Sequence, residues 1–273
     1  MPVPFSPFSA QPKHVPDLIR VLILAVVQGI AEFLPISSSG HLVILDDLLG
    51  GLGESATLVI ILHAGTLGSI LVVYWRRILK LLTSDRRVIG LLVVGTLPAV
   101  VIGLTIKRGF PWLTESPILA SAMLIITGVL LILLGKLKPS EGEYTGMSWL
   151  GAFVVGCFQA VAILPGISRS GSTIVGGRLM GLSNEDSVTF SFLLAIPAIL
   201  GATTLAIKDL LDGTEAASDL PITTLLIGAA CAFVVGIFAL KWLIRWSREA
   251  RLHWFSYWCI PFGIAMLLFY ASK

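Results

Sequence analysis

The constraint that dominates this chain is a set of apolar runs too long for the interior of a water-soluble domain. A helix needs about 20 mostly apolar residues to cross a bilayer core, and six stretches meet that length, at roughly 56–75, 87–105, 117–135, 188–207, 221–244 and 253–271. Only 13% of the 273 residues are charged, against 56% hydrophobic, about half the charged share of an average soluble domain. With a mean hydropathy of +0.93, such a chain has too little charge to cover itself in water. The sequence therefore predicts an all-α polytopic membrane protein, clad in membrane lipids.

Two further apolar stretches, 18–34 and 148–164, behave differently. Each runs into a proline and then a serine-rich loop, LPISSSGH or LPGISRSGST, and only a short apolar piece follows, 42–49 or 174–182. A helix that enters, breaks and returns is the natural reading. Irregular backbone at membrane depth survives only where protein or a wet cavity covers it. Sliding the sequence on itself by 131 residues superposes Gln28, Ala31, Ile36, Ser37, Ser39 and Gly40 on Gln159, Ala162, Ile167, Ser168, Ser170 and Gly171. The register continues without a gap through Leu48/Leu179, Gly50/Gly181, Glu54/Glu185, Leu62/Leu193 and Ala64/Ala195. A shared Ser-x-Ser-Gly at a fixed offset marks a duplication, with repeat one at about 18–135 and repeat two at about 148–271.

One re-entrant hairpin followed by three spans is an odd number of crossings, so the second repeat is expected upside down relative to the first, an inverted repeat. Cationic loops stay cytoplasmic, which puts 76–87 (Arg76, Arg77, Lys80, Arg86, Arg87) and 241–253 (Lys241, Arg245, Arg248, Arg251) inside. The acidic loop 208–220 and both termini then fall outside, and the two serine tips meet within the membrane. Residues 1–16, with five prolines and no basic segment ahead of an apolar one, read as a disordered leader before a single membrane domain at 17–273. The net charge of +3 is spread in short clusters, which excludes nucleic acid as a partner. Cys157, Cys231 and Cys259 lie inside apolar runs without paired spacing, so neither a disulfide framework nor a cysteine metal site is expected.

Ionisable groups at membrane depth are costly enough that each is a functional hypothesis. Gln28 and Glu32 are four apart on the helix leading to Pro35 and share a face. Glu32 is suited to hold a divalent cation, orient water or accept a proton. His41 closes Ser37-Ser38-Ser39-Gly40-His41 and is suited to proton transfer or to attack on phosphorus, whereas His63, alone inside a full span, reads as structural. Arg169, ringed by Ser168, Ser170, Ser172 and Thr173 at a helix start, offers a bidentate fork to an anionic oxygen cluster, and the helix N–H groups aim at the same point. Arg178 and the Asp46/Asp47 pair occupy matching places in the two hairpins and read as an ion pair near their bases. An anion cradle opposite a carboxylate and a histidine, inside a bilayer, points to phosphoryl chemistry on a lipid.

The segments Gln28 to His41 and Pro165 to Thr173 resemble the two signatures of the bacterial undecaprenyl-diphosphate phosphatase family of the bacitracin-resistance type, and the resemblance covers roughly 18–271. It implies hydrolysis of a C55 polyprenyl diphosphate to the monophosphate and inorganic phosphate. That reaction recycles the lipid carrier for peptidoglycan at a site open to the outer leaflet of the inner membrane, with a divalent cation such as Mg²⁺ or Ca²⁺ as cofactor. Carried over by position, it assigns chemistry to Glu32, Ser38, His41 and Arg169, and cation binding to Glu32. Gln28, Ser37, Ser39, Ser168, Ser170 and Thr173 are its substrate-binding candidates. Gln28 stands where some members carry a glutamate, which leaves Glu32 as the main acidic candidate. The nucleophile, whether Ser38, His41 or water, stays open, as does a homo-oligomeric state. A polyprenyl-phosphate flippase using the same headgroup cradle is the main alternative. An intramembrane serine protease gives Arg169 no role.

Overall fold

The computed structural model describes residues 17–49, 56–213 and 219–272; the leader and residues 214–218 of the acidic loop lie outside them. It is 82% helical, without a strand among the described residues. The first hairpin is α1 (Asp17–Ala31) and α2 (Ser38–Leu48), followed by α3 (Ala56–Val73), the short α4 (Trp75–Leu82), α5 (Arg86–Gly109) and α6 (Pro117–Lys136). The second hairpin is α7 (Trp149–Val161) and α8 (Arg169–Leu179), followed by α9 (Asn184–Leu211), α10 (Ile222–Arg248) and α11 (Ser256–Ala271). A shift of 131 residues carries Ser38–Leu48 onto Arg169–Leu179, so α2 and α8 share their bounds in the two repeats. Packing follows the same correspondence: α1 lies along α10, and its counterpart α7 lies along α5.

Among the described residues, five helices are long and apolar enough to cross a membrane, and a sixth is gained if the bent pair Thr57–Val73 and Trp75–Leu82 counts as one span. The span expected at 56–75 corresponds to α3, and at its end the chain turns by 75° into α4, a helix that overlaps the cationic segment 76–87. Beyond that turn, α4 exposes Trp75, Leu79 and Leu82, and the Arg76 guanidinium sits 5.3 Å from the Trp75 ring. Mixed apolar and cationic residues suit a helix lying at a membrane surface better than one crossing it. On α5 only 17% of the apolar window is buried within the protein. The remainder therefore needs a hydrocarbon solvent, and the chain is a multi-pass membrane protein.

Serine side chains start five of the helices. Ser37, Ser116, Ser148, Ser168 and Ser183 each accept a hydrogen bond from an N–H three residues on, satisfying donors that a helix start leaves open. Close helix approach depends on small residues, as expected where lipid gives apolar side chains no advantage in meeting each other. A Cβ on Gly156 would lie 2.5 Å from the Gly95 carbonyl oxygen, and one on Gly65 would lie 2.4 Å from that of Ala229. These contacts clamp α7 to α5 and α3 to α10, and so hold the hairpins between the spans. Phe33, Ile174, Phe192, Leu131 and Cys259 are buried in the central core around the hairpin tips.

Candidate active site

Both hairpins break for local reasons. The helical pattern of α1 persists through Glu32, whose N–H donates to the Gln28 carbonyl at 3.0 Å, and it ends before Pro35. Ser37 then takes a left-handed φ of 70°, unusual for a residue with a side chain, and caps α2 through the Gly40 N–H at 3.3 Å. In the second hairpin the left-handed turn falls on Gly166, with φ 93°. Thr127 of α6 pins that turn, donating to the Gly166 carbonyl at 2.8 Å and accepting from the Ser168 N–H at 2.9 Å.

The tips meet backbone to backbone. A Cβ on Gly40 would lie 2.6 Å from the Gly166 Cα and 2.8 Å from its nitrogen, neither of which can move aside like a side chain. Gly40→Ala is therefore expected to separate the hairpins and lower any activity seated at their tips at least tenfold, on the scale set by small misplacements of reacting groups. Turnover of the purified variant checks this, with circular dichroism confirming that its helices remain.

At the crossing sits Glu32, only 7% exposed. Its two oxygens are held by different repeats. Oε1 accepts from Arg169 of α8 at 2.5 Å, and Oε2 accepts from Ser38 of α2 at 2.7 Å and from the Gln28 amide at 3.2 Å. Arg169 also lies 5.9 Å from the Phe192 ring, and its second terminal nitrogen is buried without a partner. A guanidinium with one donor uncommitted, beside the starts of α2 and α8, can take a phosphate oxygen at that donor. The hydroxyl bonded to a carboxylate is the arrangement of a nucleophile beside its base.

Other residues named from sequence take supporting positions. Ser168 accepts from Gly171 N–H at 3.1 Å and lies 3.1 Å from Ser170 Oγ, which in turn donates to the Leu34 carbonyl at 3.4 Å. Thr173 Oγ1 donates to the Arg169 carbonyl at 2.8 Å and lies 2.5 Å from Ser191 of α9, so it fastens α8 to its neighbour. Ser37 and Ser39 face each other at 3.4 Å, Ser39 being exposed. His41 has both ring nitrogens engaged: Nδ1–H donates to the Ser37 carbonyl at 2.8 Å, and Nε2 accepts from the Trp258 indole at 3.0 Å. Its ring stacks on Phe262 at 4.9 Å. These contacts make His41 the brace of the strained Ser37 turn. Near the hairpin bases, the expected ion pair is replaced. Arg178 donates to the Leu182 and Lys138 carbonyls, and Asp47 accepts from Tyr270 at 2.8 Å.

His63, read from sequence as structural, is brought to the site by α3, with Nε2 3.8 Å from Glu32 Oε2. The signal was present in its being an ionisable group within an apolar span. For a hard divalent cation the available donors are Glu32 and the Gln28 amide oxygen, which is buried and has no hydrogen-bond partner. Oxygen donors of this kind, few in number and completed by phosphate oxygens, fit such an ion.

A model of the family described as "Bacitracin resistance protein BacA" matches residues 21–265. The chain belongs to the BacA family. It is 73% identical over 253 residues to an undecaprenyl-diphosphatase of Rhodopirellula baltica, with 92% of this chain and 98% of that relative covered. Proteins of the same name from Alkaliphilus metalliredigens and Halothermothrix orenii are 39% and 38% identical, again with 92% of this chain and 98% of each relative covered. Both serine-rich segments, 35–41 and 165–173, fall within the family match.

Proposed function

We propose that this protein hydrolyses undecaprenyl diphosphate to undecaprenyl phosphate and inorganic phosphate, returning the lipid carrier to cell-wall synthesis. The observation that carries the reading is a buried carboxylate gripped by a serine hydroxyl on one side and an arginine on the other. The undecaprenyl-diphosphatase name of its relatives agrees with it.

The diphosphate binds with its terminal phosphate at the crossing of the hairpins, against Arg169 and the first N–H groups of α2 and α8. Ser38 Oγ attacks the terminal phosphorus in line while Glu32 takes the hydroxyl proton, and the bond to the bridging oxygen breaks. The leaving group is the polyprenyl monophosphate, an anion stable enough to depart without a proton. Water then attacks the phosphoserine, the bond from phosphorus to Ser38 Oγ breaks as Glu32 returns its proton to that oxygen, and inorganic phosphate leaves carrying the protons of the water. Arg169 acts on charge that spreads over the equatorial oxygens in such transfers. A divalent cation, Mg²⁺ or Ca²⁺, would be held by Glu32 and the Gln28 amide oxygen and would neutralise diphosphate charge.

The placement of the protein in the bacterial inner membrane, with the site open to the outer leaflet, rests on the cationic loops 76–87 and 241–253. The inverted repeat is supported by the shared bounds of α2 and α8. A flippase using the same cradle would bind the headgroup without cutting it. Inorganic phosphate released from C55 diphosphate by purified protein in detergent is the expected result, and a protein that binds the lipid but releases none would sink the hydrolase reading.

A further inference from the structure

Glu32 Oε2 faces a group to which the mechanism above gives no task. His63 Nε2 stands 3.8 Å from it, on a side chain 28% exposed. The ring is oriented from behind, because Nδ1 lies 2.9 Å from the Val59 carbonyl one helical turn earlier in α3. A nitrogen that close to a carbonyl carries a proton, which in the neutral ring leaves Nε2, the nitrogen near the carboxylate, as the one able to bind an ion. A ring N–H donated to a backbone carbonyl, with the other nitrogen aimed at a carboxylate, is how proteins present histidine to a metal ion.

Gln28 makes the arrangement informative. Its amide N–H donates to Glu32, while its own oxygen is buried and unpartnered. A neutral amide supplies a donor atom but no charge, so Glu32 is the one anionic ligand on this face. Arg169 occupies the opposite oxygen, Oε1, while Oε2, which accepts from Ser38 and the Gln28 amide, is the oxygen on the His63 side. Bonds of about 2.1 Å from an ion to nitrogen and to oxygen span 3.8 Å when bent at the ion.

We propose that His63 is a ligand of the divalent cation, forming with Glu32 and the Gln28 oxygen a mixed nitrogen–oxygen site that the diphosphate completes. The proposal rests on the hydrolase reading for its substrate but not for its measurement. An imidazole ligand moves such a site away from purely hard ions and toward Mn²⁺ and later divalent metals. The ion then sits on the half-exposed side of Glu32, while Arg169 holds the other.

The test uses purified full-length protein in detergent with Mn²⁺ alone as probe. Electron spin-echo envelope modulation reads nitrogen directly bonded to manganese, and a titration of free Mn²⁺ reads affinity. Wild type is expected to show ¹⁴N coupling. His63→Gln is expected to lose it and to bind Mn²⁺ at least about tenfold more weakly, the lower bound seen when even an outer-shell partner of a metal is removed. His63→Glu is expected to recover affinity without the nitrogen signal. A wild-type spectrum lacking ¹⁴N coupling overturns the proposal, even if a variant fails to fold, and so does coupling or affinity that survives His63→Gln unchanged. Phosphate release by the same wild-type preparation reports separately on the hydrolase reading.

Discussion

Arg169→Ala is expected to abolish phosphate release from C55 diphosphate and also to lower the melting temperature of the detergent-solubilised protein. Both effects come from one contact. Arg169 and Glu32 are 2.5 Å apart, with side chains 17% and 7% exposed, so removing the guanidinium strands a carboxylate out of reach of bulk water. Breaking a buried pair from one side costs roughly 3–5 kcal/mol, far more than the pair contributes against an uncharged replacement. The double variant Glu32→Ala with Arg169→Ala is therefore expected to melt closer to wild type than Arg169→Ala alone, while remaining inactive. Thermal unfolding of the three proteins, beside their phosphate release, separates the two roles. A single variant as stable as wild type would mean that Glu32 finds another partner, and near wild-type turnover in Arg169→Ala would remove the arginine from the chemistry.

Ser38→Ala is the second large effect, expected to lower turnover on the order of 10³-fold or more, or about 4 kcal/mol of transition-state stabilisation. The Ser38 hydroxyl donates to Glu32 at 2.7 Å, whereas His41 has both ring nitrogens committed and stacks on Phe262. The proposed nucleophile is thus the group that already touches the proposed base. Rapid acid quenching with labelled diphosphate is expected to trap phosphoserine in wild type and none in Ser38→Ala. Turnover within tenfold of wild type in Ser38→Ala would assign the attack to water and leave Ser38 as a binding group. His41→Phe is expected to lower turnover through the Ser37 turn, with restoration of part of it by His41→Asn, which keeps a donor for the Ser37 carbonyl.

Much of this architecture is legible in the sequence because it is local. The helix breaks are written in Pro35 and in Pro165-Gly166, the caps in Ser37 and Ser168, and the repeat in a fixed offset. Glu32, Ser38 and Arg169 are readable for the same reason, since each sits in one of two short polar segments within apolar surroundings. What escapes is set by contacts between distant elements. Thr173 carries a hydroxyl suited to phosphate, yet α9 brings Ser191 against it. His41 has the chemistry of a proton carrier, yet α11 brings Trp258 and Phe262. His63 looks isolated along α3, and only the packing of that helix beside the first hairpin puts it at Glu32. The bend after Val73 likewise has no proline or glycine to announce it.

The glycine crossing of the hairpins bears on how the lipid and the protein can move. Gly40 and Gly166 touch through main-chain atoms, and the groups that grip Glu32 lie one on each side of that contact, Ser38 on α2 and Arg169 on α8. A carrier that rocked one half against the other, to show a headgroup first to one face and then to the opposite one, would pull these two grips apart and dismantle the site at mid-stroke. Cutting and carrying thus make opposite demands on the same few atoms. A crossing of this kind, closed through main-chain atoms, suits cutting in place.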